Sequence, residues 1–295
     1  MNKVINYDCH RYLGTAHTNP SPQGTALITG ASSGIGAIYA DRLARRGHDL
    51  ILIARNRERL DVLAARLAND NDRSVKVIVA DLNDKADLAR VEQVLRTDPS
   101  ITMLVNNAGV GVPTPFLDSD IEKLGRMIDL NVNALVRLTY AIVPTLVKRS
   151  SGSIINISSA VGIAPEILNG VYGGTKAFVL AFSLSLHKEF AANNVRVQAV
   201  LPGATATDFW ETAGTPIEHL SVEMVMNGDD MVDAALAGFD QGELVTIPSL
   251  PDINDWNAYE AARQRLIPKL SLSSPAARYG VPAAQPHGTR RLETA

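Results

Sequence analysis

The strongest constraint on the fold lies in residues 25–46. Thr25-Ala26-Leu27-Ile28-Thr29 is an apolar run with the length of a buried strand. Gly30-Ala31-Ser32-Ser33-Gly34-Ile35-Gly36 follows it, and a helical pattern runs from Ala37 to Arg46. A strand that turns through glycines into a helix aims backbone N–H groups out of the helix start, where a phosphate binds. Gly30, Gly34 and Gly36, with Ser32, Ser33 and Ile35 between them, are therefore candidates to cradle a pyrophosphate. The spacing is Gly-x-x-x-Gly-x-Gly, not the Gly-x-Gly-x-x-Gly of the long-chain dehydrogenases.

The rest of the chain repeats the alternation. Strands are predicted at Asp49–Ala54, Val75–Ala80, Ile101–Val105, Ser153–Ile157, Val195–Val200 and Leu244–Ile247. Helices are predicted at Arg59–Leu67, Lys85–Arg96, from near Asp120, and at Val171–Ala191, Asp230–Phe239 and Asp252–Leu270. Such alternation predicts an α/β fold, a doubly wound parallel sheet flanked by helices. Hydrophobic residues make up 46% of the 295, enough for a sizeable core. Residues 1–24 are polar and aperiodic and read as an N-terminal arm, and beyond Ser271 lies a Pro/Ala/Gly-rich tail. Residues 206–227 break the rhythm with Phe209, Trp210, Ile217, Leu220, Met224 and Met226 among polar residues. They read as a substrate lid.

Composition excludes several functions. A net charge of −3 gives no footprint for nucleic acid. Cys9 is the only cysteine, so an internal disulfide is excluded and a reducing, cytoplasmic setting fits. The six histidines are scattered, and no metal site is expected. No apolar run approaches the roughly 18 residues of a membrane span, so no membrane partner is expected.

Several positions carry chemistry. Tyr172 and Lys176 are four apart, on one face of a helix. A phenol beside a fixed ammonium is a tuned proton donor, and the positive charge is expected to lower the tyrosine pKa. Ser159 follows the strand Ser153–Ile157 and can meet the same carbonyl group. At the end of the second strand, Ala54-Arg55-Asn56-Arg57 offers no acid, and Arg55 can fork onto a 2′-phosphate. This favours NADP over NAD. Arg57 reads as a solvated helix start. Asp81, before Leu82, either accepts from an adenine amino group or caps the next helix. In Asn106-Asn107-Ala108-Gly109 the small residues let a cofactor lie close to the main chain, and the asparagines tie strand ends together. Asn131, inside an apolar helix, needs partners for its amide and reads as bending the helix and holding a water near Lys176. Asn133 reads as structural. Pro202, Gly203, Thr205 and Thr207 sit where strand carboxyl ends gather.

Taken together, Thr29-Gly30-Ala31-Ser32-Ser33-Gly34-Ile35-Gly36, Asn106-Asn107-Ala108-Gly109, Asn131, Ser159, Tyr172-x-x-x-Lys176 and Pro202-Gly203 stand in one order. That set resembles the short-chain dehydrogenase/reductase family over Thr25 to about Ile247. The resemblance implies a single Rossmann domain, taken here as residues 25–270, with about seven strands. It also implies a nicotinamide cofactor and interconversion of a carbonyl and an alcohol; Arg55 makes that cofactor NADP(H) rather than NAD(H), and the substrate reads as small to medium and apolar. It makes Tyr172 the general acid/base and Lys176 the tuner that also binds the nicotinamide ribose. Ser159 would hold the substrate oxygen, Asn131 the water relay, and Thr207 the carboxamide. Ser33 departs from the family, standing where some NADP-dependent members carry a basic residue, which leaves Arg55 with most of the NADP argument. A homodimer or homotetramer built on the helix of Tyr172 is implied too, because Ala177–Leu186 is apolar nearly all round. The alternatives are a non-catalytic nicotinamide-binding regulator or scaffold, and an epimerase or dehydratase of the same fold.

Overall fold

The computed structural model describes residues 23–112, 114–168, 170–210 and 221–281. The first 22 residues of the expected arm, residues 211–220 of the expected lid and residues 282–295 of the expected tail lie outside that description. The described residues fall into two compact units, one up to Ser249 and one from Leu250.

In the first unit, strands and helices alternate as β1 (Thr25–Thr29), α1 (Gly34–Arg45), β2 (Asp49–Ala54), α2 (Arg57–Asn71), β3 (Val75–Val79), α3 (Lys85–Thr97) and β4 (Ile101–Asn106). They continue as α4 (Ile121–Ile128), a π-helical turn (Asp129–Ala134), α5 (Leu135–Arg149), β5 (Gly152–Ile157), α6 (Gly170–Phe190) and β6 (Val195–Val200). The unit closes with β7 (Ala204–Ala206), β8 (Val225–Asn227), α7 (Gly228–Gln241) and β9 (Val245–Thr246). The second unit holds α8 (Ile253–Leu266), where the Trp256 and Tyr259 rings lie 5.3 Å apart.

Seven strands form one parallel sheet in the order β3-β2-β1-β4-β5-β6-β9. The chain winds outward from β1 to β3 and then restarts at β4 on the other side of β1. The carboxyl ends of β1 and β4 therefore flank the switch point, where ligands bind in such sheets. Both faces are covered, which explains why the strands read as continuous apolar runs. On one side Leu43, Leu60 and Leu236 of α1, α2 and α7 pack on Ala26, Ile28, Leu50 and Leu52. On the other, Val91, Leu138 and Ile142 of α3 and α5 pack on Leu27, Ile51, Leu104 and Ile154. Each fully buried side chain of this kind contributes about 1.5–3 kcal/mol.

Three details go beyond the sequence reading. Helix α1 begins at Gly34 rather than Ala37, so the glycine turn itself supplies its first turn. The helical stretch Ile121–Arg149 is, by length and composition alone, apolar enough to cross a membrane, contrary to the expectation that no run approaches that length. Its buried residues, among them Leu138, Ala141, Ile142 and Leu146, pack against the sheet, as in the core helix of a globular domain. Finally, part of the expected lid is regular structure, since β8 pairs in parallel with β7 through Thr205 and Met226.

Candidate active site

The site is assembled at the carboxyl ends of the strands. Gly30 turns out of β1 at φ +66°, a conformation that favours glycine, and a Cβ on Gly36 would collide with the Gly30 carbonyl oxygen. The turn therefore closes only with glycine at both positions. The Asn107 side chain donates to the carbonyl oxygens of Thr29 (2.9 Å) and Gly30 (3.2 Å), tying the β4 exit to the β1 exit across the switch point. The Thr29 hydroxyl completes the tie. It accepts from the N–H groups of Asn107 and Ala108, both at 3.0 Å, and donates to Val105. Thr29 heads the glycine motif, yet sequence reasoning gave it no role. Its neighbour Asn106 bonds Asn156 on β5 at 2.9 Å, as expected of an asparagine joining strand ends.

The residues fit the dinucleotide that the fold implies. Ser33 is the N-cap of α1 but makes no side-chain capping bond, and the first turn of α1 carries no acid. Its first N–H groups are left to an outside acceptor. The first helices after β2 and β3 start differently. Asn56 caps α2, and Asp84, with Asp87 in the first turn, caps α3. Arg55, directly after β2, is exposed and has no ion pair or hydrogen bond with another described residue. Arg57 pairs with Asp61 at 3.7 Å and Arg59 with Asp208 at 2.8 Å, so Arg55 is the cation left to read a phosphate there. Asp81 does not cap α3. Its Oδ1 accepts from Asn83 N–H at 3.0 Å in the turn after β3, and the buried Leu82 beside it packs into the core.

Asn131 lies in the π-helical turn between α4 and α5, buried at 2% exposure. Its carboxamide donates to Val110 O (2.9 Å) and Thr175 Oγ1 (3.1 Å) and accepts from Val110 N–H (3.0 Å). Such external bonds accompany a helix that widens locally. They fix the loop after β4 to α6, because Thr175 also donates to the Tyr172 carbonyl at 2.8 Å. Sequence reasoning missed Thr175, although its place between Tyr172 and Lys176 marked it. Asn133 bonds Asp129 at 2.6 Å and is structural, as expected. A Cβ on Gly109 would lie 3.1 Å from Asn131 Oδ1 and 3.5 Å from Lys176 Nζ, so these two groups face one small gap.

Ser159 caps the short helical turn after β5 and donates to the Pro202 carbonyl at 3.3 Å. Its hydroxyl is also near enough to the Tyr172 phenol to pull that group's pKa down. Lys176 Nζ donates to Ile157 O at 2.9 Å and lies 5.8 Å from the Tyr172 ring centroid. Tyr172 and Lys176 are both buried, at 7% and 6% exposure. Burial pushes the phenol up to about 12, against the pull of Ser159, and pushes the ammonium down to about 8. The expected lowering of the tyrosine is thus reversed, because desolvation of the phenol outweighs the pull of Ser159.

Apolar side chains surround the tyrosine. Leu124, Met127 and Val161 bury against it, with Val110, Val112 and Phe209 at the margin. The Phe209 ring lies 6.0 Å from that of Tyr172. Pro202 and Gly203 follow β6, with Gly203 exposed. Thr205 is buried and bonded to Gly203 O, while Thr207 lies over the glycine turn, where a Cβ on Gly34 would meet its Cβ at 3.1 Å. Tyr172, Lys176, Ser159 and Asn131 are therefore brought together. Arg55 and Asp81 stand apart at the β2 and β3 ends, across the switch point.

Comparison with known proteins agrees with the fold. The profile of the short chain dehydrogenase family matches residues 24–217. A short-chain dehydrogenase from Sphingobium yanoikuyae, solved in complex with NADPH, is 49% identical. It covers 87% of this chain and 100% of its own, with a TM-score of 0.84. The bulky-bulky ketone specific alcohol dehydrogenase from Comamonas testosteroni is 46% identical over 87% of this chain and 98% of its own, with a TM-score of 0.79. The very-long-chain 3-oxoacyl-CoA reductase of Anas platyrhynchos is 37% identical over 198 residues. That match spans 66% of this chain and 64% of the duck protein.

Proposed function

We propose that this chain, which belongs to the short-chain dehydrogenase family and is an oxidoreductase, uses NADP(H) to interconvert a carbonyl and an alcohol on a small to medium apolar substrate. The observation that carries the reading is the buried Tyr172 phenol, near Ser159 and walled by apolar side chains, in a sheet whose carboxyl edge also carries an uncapped helix start. NADPH, when bound, supplies the hydride that reaches the carbonyl carbon. Negative charge would then develop on the carbonyl oxygen. Ser159 and Tyr172 stabilise the developing charge by hydrogen bonds. Tyr172 then gives its proton to that oxygen, and the gap between Asn131 and Lys176 offers a route for its return. The α1 start holds the pyrophosphate and Arg55 the 2′-phosphate, a preference that the NADPH complex of the Sphingobium relative supports. The Comamonas relative is specific for bulky-bulky ketones, which supports a ketone as the carbonyl substrate. A homo-oligomer would use the exposed face of α6, which carries Gly174, Phe178, Ala181 and Ser185.

The test is incubation of the protein with NADPH or NADH and a panel of ketones, following cofactor absorbance. Ketone-dependent oxidation of NADPH in preference to NADH is expected. Binding of NADPH with no turnover on any ketone or alcohol would leave a non-catalytic role instead.

A further inference from the structure

The expected lid offered two aromatic residues, and the structure separates their roles. The Trp210 indole N–H donates to the Thr205 carbonyl oxygen at 2.8 Å, so its polar end is fixed to the main chain of β7. Its ring meets Phe209 edge-on, with centroids 5.7 Å apart and an interplanar angle of 88°. Phe209 instead turns toward the chemistry, with its ring tilted 40° to that of Tyr172 at 6.0 Å. What lets it lie there is a glycine on the opposite side of the site. A Cβ at Gly111, in the loop after β4, would lie 2.6 Å from Phe209 Cζ, the far tip of the ring. The backbone of Gly111 does not adopt positive φ, so an alanine there meets no strain of its own and displaces only the ring.

Around Tyr172 this makes an apolar enclosure drawn from distant parts of the chain, with Val112 from the β4 loop, Leu124 and Met127 from α4, Val161 after β5 and Phe209 after β7. We propose that Phe209, seated on Gly111 and braced by Trp210, is the specificity-determining residue of the site, the wall against which an aryl or similarly flat apolar flank of the substrate carbonyl packs. The inference rests on the oxidoreductase reading and deepens it. A flat ring face gives an aryl flank offset or edge contact that a short alkyl flank cannot use. A contact covered only by the larger ligand discriminates against the smaller one.

The experiment measures kcat/KM for acetophenone and for butan-2-one with saturating NADPH, in wild type, Phe209→Ala, Gly111→Ala and the double variant. NADPH affinity is titrated alongside by fluorescence. Phe209→Ala should lower the acetophenone value about tenfold more than the butan-2-one value, with NADPH affinity unchanged. Gly111→Ala should shift the ratio in the same direction. In the Phe209→Ala background it should add nothing, because no ring is left to displace. Equal losses on the two ketones, or a Gly111→Ala effect that persists without Phe209, would overturn the assignment while leaving the oxidoreductase reading intact. A wild type that reduces neither ketone would overturn this inference, while the oxidoreductase reading is decided by the wider panel of ketones and alcohols.

Discussion

Two charged regions of the same domain are built on opposite plans. On the outer side of α1, Arg42 is bonded to Asp41, Asp229 and Asp233, and Arg45 and Arg66 both reach Asp41. Each of these cations meets a carboxylate, and Asp41, although only 5% exposed, is held below the usual carboxylate range by those guanidiniums. At the rim formed by the strand ends, the polar groups are left open. Arg55 has no described partner, Ser33 does not cap α1, and Lys176 spends one donor on Ile157. The first plan ties α1, α2 and α7 together. The second leaves charge and hydrogen-bonding capacity for something that is not protein. Paired charges in this fold are thus a mark of structure, and unpaired ones at the sheet's carboxyl edge are a mark of the site.

Four effects would break or sharpen that contrast. The largest effect is expected from Tyr172→Phe, which removes one hydroxyl from the open region. Ketone reduction should fall by at least about 10²-fold, the usual contribution of a positioned acid, while NADPH still binds. Activity within a few-fold of wild type would remove Tyr172 from the chemistry.

Next come the two arginines. Arg55→Ala should lower kcat/KM with NADPH by roughly ten- to a hundredfold and leave NADH nearly unchanged, since one charge-assisted contact to phosphate is worth about 1.5–3 kcal/mol. Arg42→Ala should do the reverse, lowering Tm with the cofactor preference intact. If Arg42→Ala altered NADPH selectivity as much as Arg55→Ala does, the division between the two regions would be wrong.

The third effect is a pH limb. Lys176 is pushed down to about 8 from an ordinary value of 10.5, and Tyr172 up to about 12 from 10.0. Reduction needs the protonated phenol, which is secure across neutral pH. A limb of kcat/KM near pH 8 in the free enzyme would then belong to the lysine, and a profile flat to pH 10 would refute its low pKa. Stability follows the same signs. Between about pH 8 and 10 the unfolded chain keeps the lysine proton that the folded chain has lost, so this group makes stability rise with pH across that window. Above 10 the buried tyrosine opposes it, because the unfolded phenol ionises first.

The smallest effect tests the capped helix starts. Asp84→Ala removes the acceptor of the Ala86 and Asp87 N–H groups and should cost ~1 kcal/mol of stability with no change in NADPH affinity. A loss of cofactor binding comparable to that of Arg55→Ala would show that the α3 start belongs to the site as well.

Much of the site was legible because its parts are local. The glycine turn is a property of seven consecutive residues, and the Tyr172–Lys176 spacing is a property of one helix. The alternation of strand and helix settled the sheet class for a similar reason, since a parallel strand pair needs a crossover long enough for a helix. The partners of Asn106 and Asn107 were foreseeable in kind, as strand-end ties, but not in identity. Asp81 illustrates the limit, for two local roles were open to it; the structure gives the helix cap to Asp84 and places Asp81 Oδ1 in an Asx turn.

What the sequence determined by itself, then, was which backbone turns are sterically possible and which side chains share a face, because both follow from periods of two and 3.6 residues. Only the tertiary structure decided the environment of those side chains. That Tyr172 rises rather than falls in pKa depends on Leu124, Met127 and Val161 closing over it from separate elements. That Phe209 rather than Trp210 faces it depends on a glycine in a different loop. Desolvation and steric seating are summed over groups far apart in the chain, and no window of sequence contains that sum.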